Sequence, residues 1–258
     1  MLHLPHLAPT SPPPTATVED ELRALTERLP VAALTEQFRH DELLVLRDFV
    51  PARVLAEMVA ETRRLMPSAR RSYLPFVRKG GAISHPTIQR AAPALHAFQL
   101  SPALRETFQR IADGPVLEAR KQDDPHASAI YTYTRPGDHI GWHYDDCGCE
   151  PQAAYSIILG LVDRSSSLLE LITFKKTPGK APVRRLVRVE PGTLVFFCGS
   201  NVWHRVTPLQ RGEERATFSF VYVKQNSHPH GWDKLQLEAI NTLLYFGPRA
   251  LFKRQPDR

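Results

Sequence analysis

The sequence predicts an α+β fold with a mainly β core, its helices packed outside an antiparallel barrel. Short alternating or apolar segments follow one another from about residue 127, among them SAIYTYTR, QAAYSIILGLV, SSLLELITFKK, GTLVFFCG and RATFSFVYV. Pro-Gly, Asp-Arg-Ser and Arg-Gly turns separate them, as in a barrel or double sheet. Before residue 127, and again near the C-terminus, apolar residues recur at helical spacing.

Residues 1–16 are Pro-rich and read as disordered, since proline fixes φ and removes donors. Thr17 suits the N-cap of a helix over VEDELRALTERL, with Glu19 and Asp20 in a first turn where carboxylates favour the helix dipole. LLVLRDFV, residues 43–50, reads as a strand. Pro51 opens PARVLAEMVAETRRLM, in which Val54, Leu55, Met58, Val59 and Leu65 form an apolar helical stripe. The stretch 67–90 has weak periodicity and a Gly80-Gly81 pair, and reads as a loop placed to act as a lid. Arg78 and Lys79, within it, could contact an acidic substrate group, although solvation explains them as well. Ser101 caps a helix over PALRETFQRIADG that Gly114 ends. A last helix covers 231–253, around WDKLQLEAINTLLYFG, and stops at Gly247-Pro248. The organisation expected is one domain over 17–258, with helical support at 17–126, the barrel at 127–224 and the C-terminal helix after it.

Composition narrows the class. With 258 residues, 42% hydrophobic and 23% charged, the chain can bury a full core of ordinary globular character. No run approaches the roughly 18–20 apolar residues of a membrane span. MLHLPHLAPTSPPPTA lacks the basic start of a signal peptide, so a cytoplasmic location is expected. Three cysteines, Cys147, Cys149 and Cys198, fit a reducing compartment better than a disulfide scaffold. The net charge of +6 is spread in short pairs such as Arg63-Arg64 and Lys175-Lys176. A solvated basic surface accounts for it, and nucleic acid is kept only as an alternative partner.

The chemistry concentrates in GDHIGWHYDD (137–146) and VWHRVTP (202–208). On a strand, H-x-D places His143 and Asp145 on one face, because side chains alternate. His204, arriving from a distant strand, completes two histidines and a carboxylate on one triangular face of an octahedral metal. That set leaves three positions open and suits non-haem iron(II), which can then take a bidentate keto-acid and O₂. A keto-acid also needs a cation for its distal carboxylate. Arg215 lies one turn and one returning strand after His204, and Thr217 shares its face. Alone, each residue has a bland explanation. Together, H-x-D, 58 intervening residues, His, ten more, then Arg-x-Thr form a specific pattern.

Residues 43–65 and 127–224, about half the chain, resemble the prolyl-4-hydroxylase-like branch of the 2-oxoglutarate/Fe(II) dioxygenases. Tyr133, Gly137, His143 and Asp145 match its Y-x3-G-x5-H-x-D run, and GTLVFFCGSNVWHRVTP matches the segment bearing the second iron histidine. The resemblance implies a double-stranded β-helix (jelly-roll, cupin-like) barrel with iron on His143, Asp145 and His204. It also implies 2-oxoglutarate on Arg215, where prolyl hydroxylases often place Lys, and a hydroxyl from Tyr131 or Tyr133. The activity implied is decarboxylation of the keto-acid to succinate and CO₂ with hydroxylation of an unactivated C–H. GDHIGWHYDD is also similar to the AlkB-type nucleic-acid demethylases. Those carry Asn where this chain has Tyr131 and two arginines on the last strand, where RATFSFVYV has one. A further likeness, in YSIILGLVDRSSS and LLYFGPRALFK, is to small amino-acid halogenases and hydroxylases. Halogenases of that group lack the iron carboxylate; Asp145 therefore implies hydroxylation, with a free amino acid as the expected small-molecule substrate.

Weaker candidates surround this set. Asp146 follows a ligand and could meet a substrate ammonium, although solvation explains it as well. Cys147-x-Cys149 fits a turn better than a zinc site, with no second pair present. Trp142 and Trp203 precede ligand histidines and should pack on the opposite face. Asn226 and Trp232 lie beyond the last strand, where a C-terminal segment could reach the substrate. A cupin-like metal-binding protein is the alternative of another class; such proteins usually continue H-x-H, and have no need of Arg215.

Overall fold

A computed structural model describes residues 16–114, 116–120, 122, 124, 126–145 and 154–225. The Pro-rich start, the helix expected over 231–253, and Asp146, Cys147, Cys149, Asn226 and Trp232 lie outside the described residues. The helical half comes first. Helix α1 (Val18–Thr26) starts at a capping box in which Thr17 and Asp20 exchange side-chain-to-backbone hydrogen bonds. Helix α2 (Val31–Asp41) was not expected from the pattern; its one buried apolar residue is Leu34. Strand β1 (Leu43–Leu46) is half the length predicted, and α3 (Ala52–Leu65) buries Val54, Met58 and Leu65 as the stripe predicts.

The loop expected over 67–90 is instead ordered secondary structure. Strands β2 (Arg70–Leu74) and β3 (Arg78–Ser84) form a hairpin, and α4 (His85–Ala91) follows. Gly80-Gly81, which reads as a turn signal, lies inside β3. A Cβ at Gly81 would stand 2.3 Å from Thr132 Oγ1, so glycine here records a close strand approach.

Helices α5 (Pro93–Leu100) and α6 (Pro102–Ala112) complete the helical layer, α6 capped by Ser101 as predicted. The N-terminus of α5 is held from α3. The buried Glu61 carboxylate accepts from the amides of Ala94 and Leu95 at 2.8 and 3.0 Å. Glu61→Ala should cost about 1–3 kcal/mol by orphaning those two donors. A urea unfolding midpoint unchanged from the parent would count against that joint.

The remaining strands are β4 (Leu117–Ala119), β5 (Ser128–Tyr133), β6 (His139–His143), β7 (Ala154–Arg164), β8 (Leu169–Thr173), β9 (Val183–Val187), β10 (Leu194–Cys198), β11 (Trp203–Val206) and β12 (Glu214–Lys224). All pairings are antiparallel, in the order β1-β10-β7-β12-β5-β3-β6-β11-β8-β9, and the sheet curls into a nearly closed double-stranded β-helix.

Alternation sorts each strand onto two cores. Leu194, Phe196 and Cys198 face the helices, whereas Val195 and Phe197 face the barrel interior. Both faces of β10 are covered, which is why LVFFC is continuously apolar. On β12, Ala216, Phe218, Phe220 and Tyr222 pack toward the helices. The opposite parity turns Arg215 and Thr217 inward. No helix among the described residues is long and apolar enough to cross a membrane.

Candidate metal centre

Strands β6 and β11 lie side by side in the barrel wall with His143 directly opposite His204, their rings 4.1 Å apart. Each ring is oriented by its own strand. His143 Nδ1 lies 2.9 Å from the Gly141 carbonyl and His204 Nδ1 lies 3.1 Å from the Val202 carbonyl. A carbonyl can only accept, so Nδ1 carries a proton in each ring and, when the ring is neutral, Nε2 presents a lone pair to the interior. Metal-binding histidines need that tautomer.

Asp145 lies two residues past the end of β6, beyond the regular alternation used to predict its direction. Its place is set across the barrel instead: its amide donates to the Gly199 carbonyl at 3.0 Å. One carboxylate oxygen, Oδ1, stands 3.4 Å from His143 Nε2, and Oδ2 stands 3.5 Å from His204 Nε2. The ligand atoms of the three residues all lie within 4.8 Å of one another.

The electrostatics suit a cation. Burial alone would raise the Asp145 carboxyl, but the two imidazoles and the Ser156 hydroxyl outweigh it and hold it well below the usual carboxylate range. Burial, helped by the nearby His143, pushes His204 down to about 4, so its ring is neutral at physiological pH.

Arg215 is the second fixed point. It is 0% exposed, on β12 opposite Tyr133, and Thr217 on the same face is opposite Tyr131. Its Nη1 donates to the Ser167 carbonyl at 2.9 Å, while Nε and Nη2 have no hydrogen-bond partner among the described residues. Two orphaned donors on a buried guanidinium are a high cost unless an anion meets them. Burial lowers the Arg215 pKa, opposed by Tyr133 and Asp163.

The Halogenase D family profile matches residues 26–159, just over half of the chain, and includes His143 and Asp145. The chain belongs to the Halogenase D family. Solved structures similar to this Halogenase D protein include a prolyl-4-hydroxylase, a non-haem 2-oxoglutarate-dependent epimerase and a 2-oxoglutarate/Fe(II) oxygenase. A Pseudomonas putida prolyl-4-hydroxylase is 18% identical, with a TM-score of 0.58 over 76% of this chain and 100% of that one. The 2-oxoglutarate-dependent epimerase SnoN of nogalamycin biosynthesis is 17% identical, with a TM-score of 0.61 over 75% of this chain and 80% of that one. A 2-oxoglutarate/Fe(II) oxygenase from Burkholderia pseudomallei is 14% identical, with a TM-score of 0.56 over 78% and 94%. At such identities the likeness is one of fold. No curated protein matches the sequence.

Two residues that contact Asp145, Ser156 and Gly199, escaped the motif reading, and Arg78 is placed otherwise than its solvated reading. Arg78 is not solvated: it is 1% exposed, opposite Ile140 of the interior core, with its guanidinium 5.3 Å from the Tyr131 ring centroid. Lys79, its neighbour, donates to the Pro136 carbonyl at 2.7 Å on the other face. Ser156 and Gly199 contact Asp145. The only signal for Arg78 was a basic residue beside glycines in a stretch of poor periodicity. Trp142 and Trp203 pack outside the barrel as expected, 6.4 Å apart, with Lys175 Nζ 3.4 Å over Trp203.

Proposed function

We propose that this Halogenase D protein is a 2-oxoglutarate-dependent non-haem iron dioxygenase that hydroxylates a small polar substrate, with a free amino acid as the best fit. The observation that carries the reading is one barrel interior that holds both a candidate metal triad and a buried arginine. Two imidazoles and a carboxylate converge in it, and Arg215, buried with two donors that have no partner among the described residues, lies opposite Tyr133 of the same interior core. When bound, iron(II) with 2-oxoglutarate and O₂ supplies oxidative decarboxylation of the keto-acid coupled to C–H hydroxylation.

In this reading His143, Asp145 and His204 hold the metal on one face and leave the other face open. Arg215 receives the distal carboxylate of 2-oxoglutarate, with Thr217, Tyr131 and Tyr133 supplying hydroxyls around it. Interior apolar side chains, including Ile158, Leu171, Phe197 and Val206, exclude water from the reacting centre. Arg78 adds a second buried cation, which favours a substrate with an anionic end such as an amino-acid carboxylate. Asp146, Asn226 and Trp232 belong to the proposed substrate contacts. Retention of Asp145 favours hydroxylation, because halide would need the position that carboxylate fills. The reading treats residues 17–258 as one oxygenase domain working in the cytoplasm.

The test is anaerobic titration of iron-loaded protein with 2-oxoglutarate, followed by the visible charge-transfer band of a chelated keto-acid. The band should form in the parent and be abolished in His143→Ala. Succinate release, screened with amino acids first, then identifies the substrate class; release only with methylated oligonucleotides or peptides would move the proposal to those substrates. Folded, iron-replete protein that gives no band would overturn the oxygenase reading in favour of a metal-binding barrel.

A further inference from the structure

Strand β7 carries a polar residue where its pattern calls for an apolar one. Ser156 sits between Tyr155 and Ile157 in a strand whose first nine residues are all buried, and is itself 0% exposed. Burying a hydroxyl costs free energy unless it is bonded, and a break in a buried strand's pattern points to a site. Its partner is Asp145. Ser156 Oγ donates to Asp145 Oδ2 at 2.6 Å, the short distance expected for a hydroxyl on a carboxylate.

Gly199 makes the space in which the two meet. Its carbonyl accepts from the Asp145 amide at 3.0 Å and its amide donates to the Ala154 carbonyl at 2.8 Å, tying the aspartate to the start of β7. A Cβ at 199 would stand 2.5 Å from Ser156 Oγ and 2.8 Å from Asp145 Cβ. Any side chain there would push hydroxyl and carboxylate apart.

We infer that Ser156, seated by Gly199, is a positioning residue that makes Asp145 a one-oxygen ligand. The inference rests on the metal-site reading above and assigns a task to residues that touch neither metal nor substrate in it. Oδ1 stands 3.4 Å from His143 Nε2 and Oδ2 3.5 Å from His204 Nε2, so it is the Ser156 hydrogen bond that sets the two oxygens apart and, in this inference, leaves Oδ1 to the metal. A carboxylate chelating through both oxygens would occupy two of six positions. Two histidines and that chelate would then leave two, too few for a bidentate keto-acid and O₂ together. The Ser156 hydrogen bond keeps the third position open and holds the carboxylate against rotation.

The full-length chain can test this with cobalt(II) as the probe, titrated anaerobically into the parent, Ser156→Ala, Ser156→Cys and His143→Ala. Ser156→Ala should bind cobalt about 10- to 100-fold more weakly than the parent. Its ligand-field absorption should weaken and shift toward higher coordination, while the metal-free thermal midpoint stays at the parent's value. Ser156→Cys, which keeps the volume but replaces the strong donor with a weak one, should show the same change and stands in if the alanine variant does not fold. Parent-like affinity and spectrum in the folded serine variants would overturn the inference and leave the metal site intact. A parent that binds no cobalt, or His143→Ala that binds it equally, would overturn the metal-site reading itself.

Discussion

Arg215→Ala should weaken 2-oxoglutarate binding by roughly 10²–10⁴-fold, read as the ligand concentration that half-saturates the charge-transfer band under anaerobic conditions. The magnitude follows from the geometry. One of the three guanidinium nitrogens is committed to the Ser167 carbonyl, and the other two have no hydrogen-bond partner among the described residues. A carboxylate meeting both makes two charge-assisted hydrogen bonds, worth about 1.5–3 kcal/mol each. Arg215→Lys should fall between parent and alanine, because an ammonium keeps the charge but cannot reproduce the planar fork. Half-saturation unchanged in Arg215→Ala would place the keto-acid elsewhere, and Arg78 would then be the remaining buried cation among the described residues.

The second large effect concerns the joint between the helices and the barrel. Phe196→Ala should cost about 3–5 kcal/mol and lower the thermal midpoint by roughly 6–20 °C in a chain of this size. Phe196 is 0% exposed. Its ring lies 4.4 Å from Phe108 of α6, 4.9 Å from Phe38 of α2 and stacks on Tyr155 of β7 at 5.7 Å. Truncation would empty the centre of this cluster, and neighbours on three different elements cannot all collapse into the space. The next residue, Phe197, faces the other way and packs edge-on against His204 at 4.8 Å. A defect on the helical side is therefore one residue from the candidate metal centre. A midpoint lowered by only a degree or two would show that the helical layer is held by other contacts.

The motif pair and the alternating segments were legible because they are local or nearly so. Each predicted strand after residue 127 corresponds to an observed one, since alternation is a property of a few consecutive residues. The caps at Thr17 and Ser101 were readable for the same reason. Helix α5 was missed because PALHAFQL is apolar nearly all round, which leaves no periodicity to detect; four of its eight residues are buried. The hairpin of β2 and β3 was missed because two glycines mimic a turn, when Gly81 marks a close approach of β3 to Thr132 of β5.

By itself, then, the amino-acid order determined the strands after residue 127, which face of β12 carries Arg215, and that two histidines, a carboxylate and an arginine recur at telling intervals. Tertiary structure decided what surrounds them. Ser156 lies 11 residues from Asp145 and Gly199 lies 54 away, and their meeting depends on how β6, β7 and β10 are registered within the barrel. Arg78, 53 residues before Tyr131, turns from a surface residue into a buried cation only because β3 inserts between β5 and β6. Local pattern sets a side chain's face; which distant side chain it meets there is set by long-range strand pairing, which short-range periodicity does not encode.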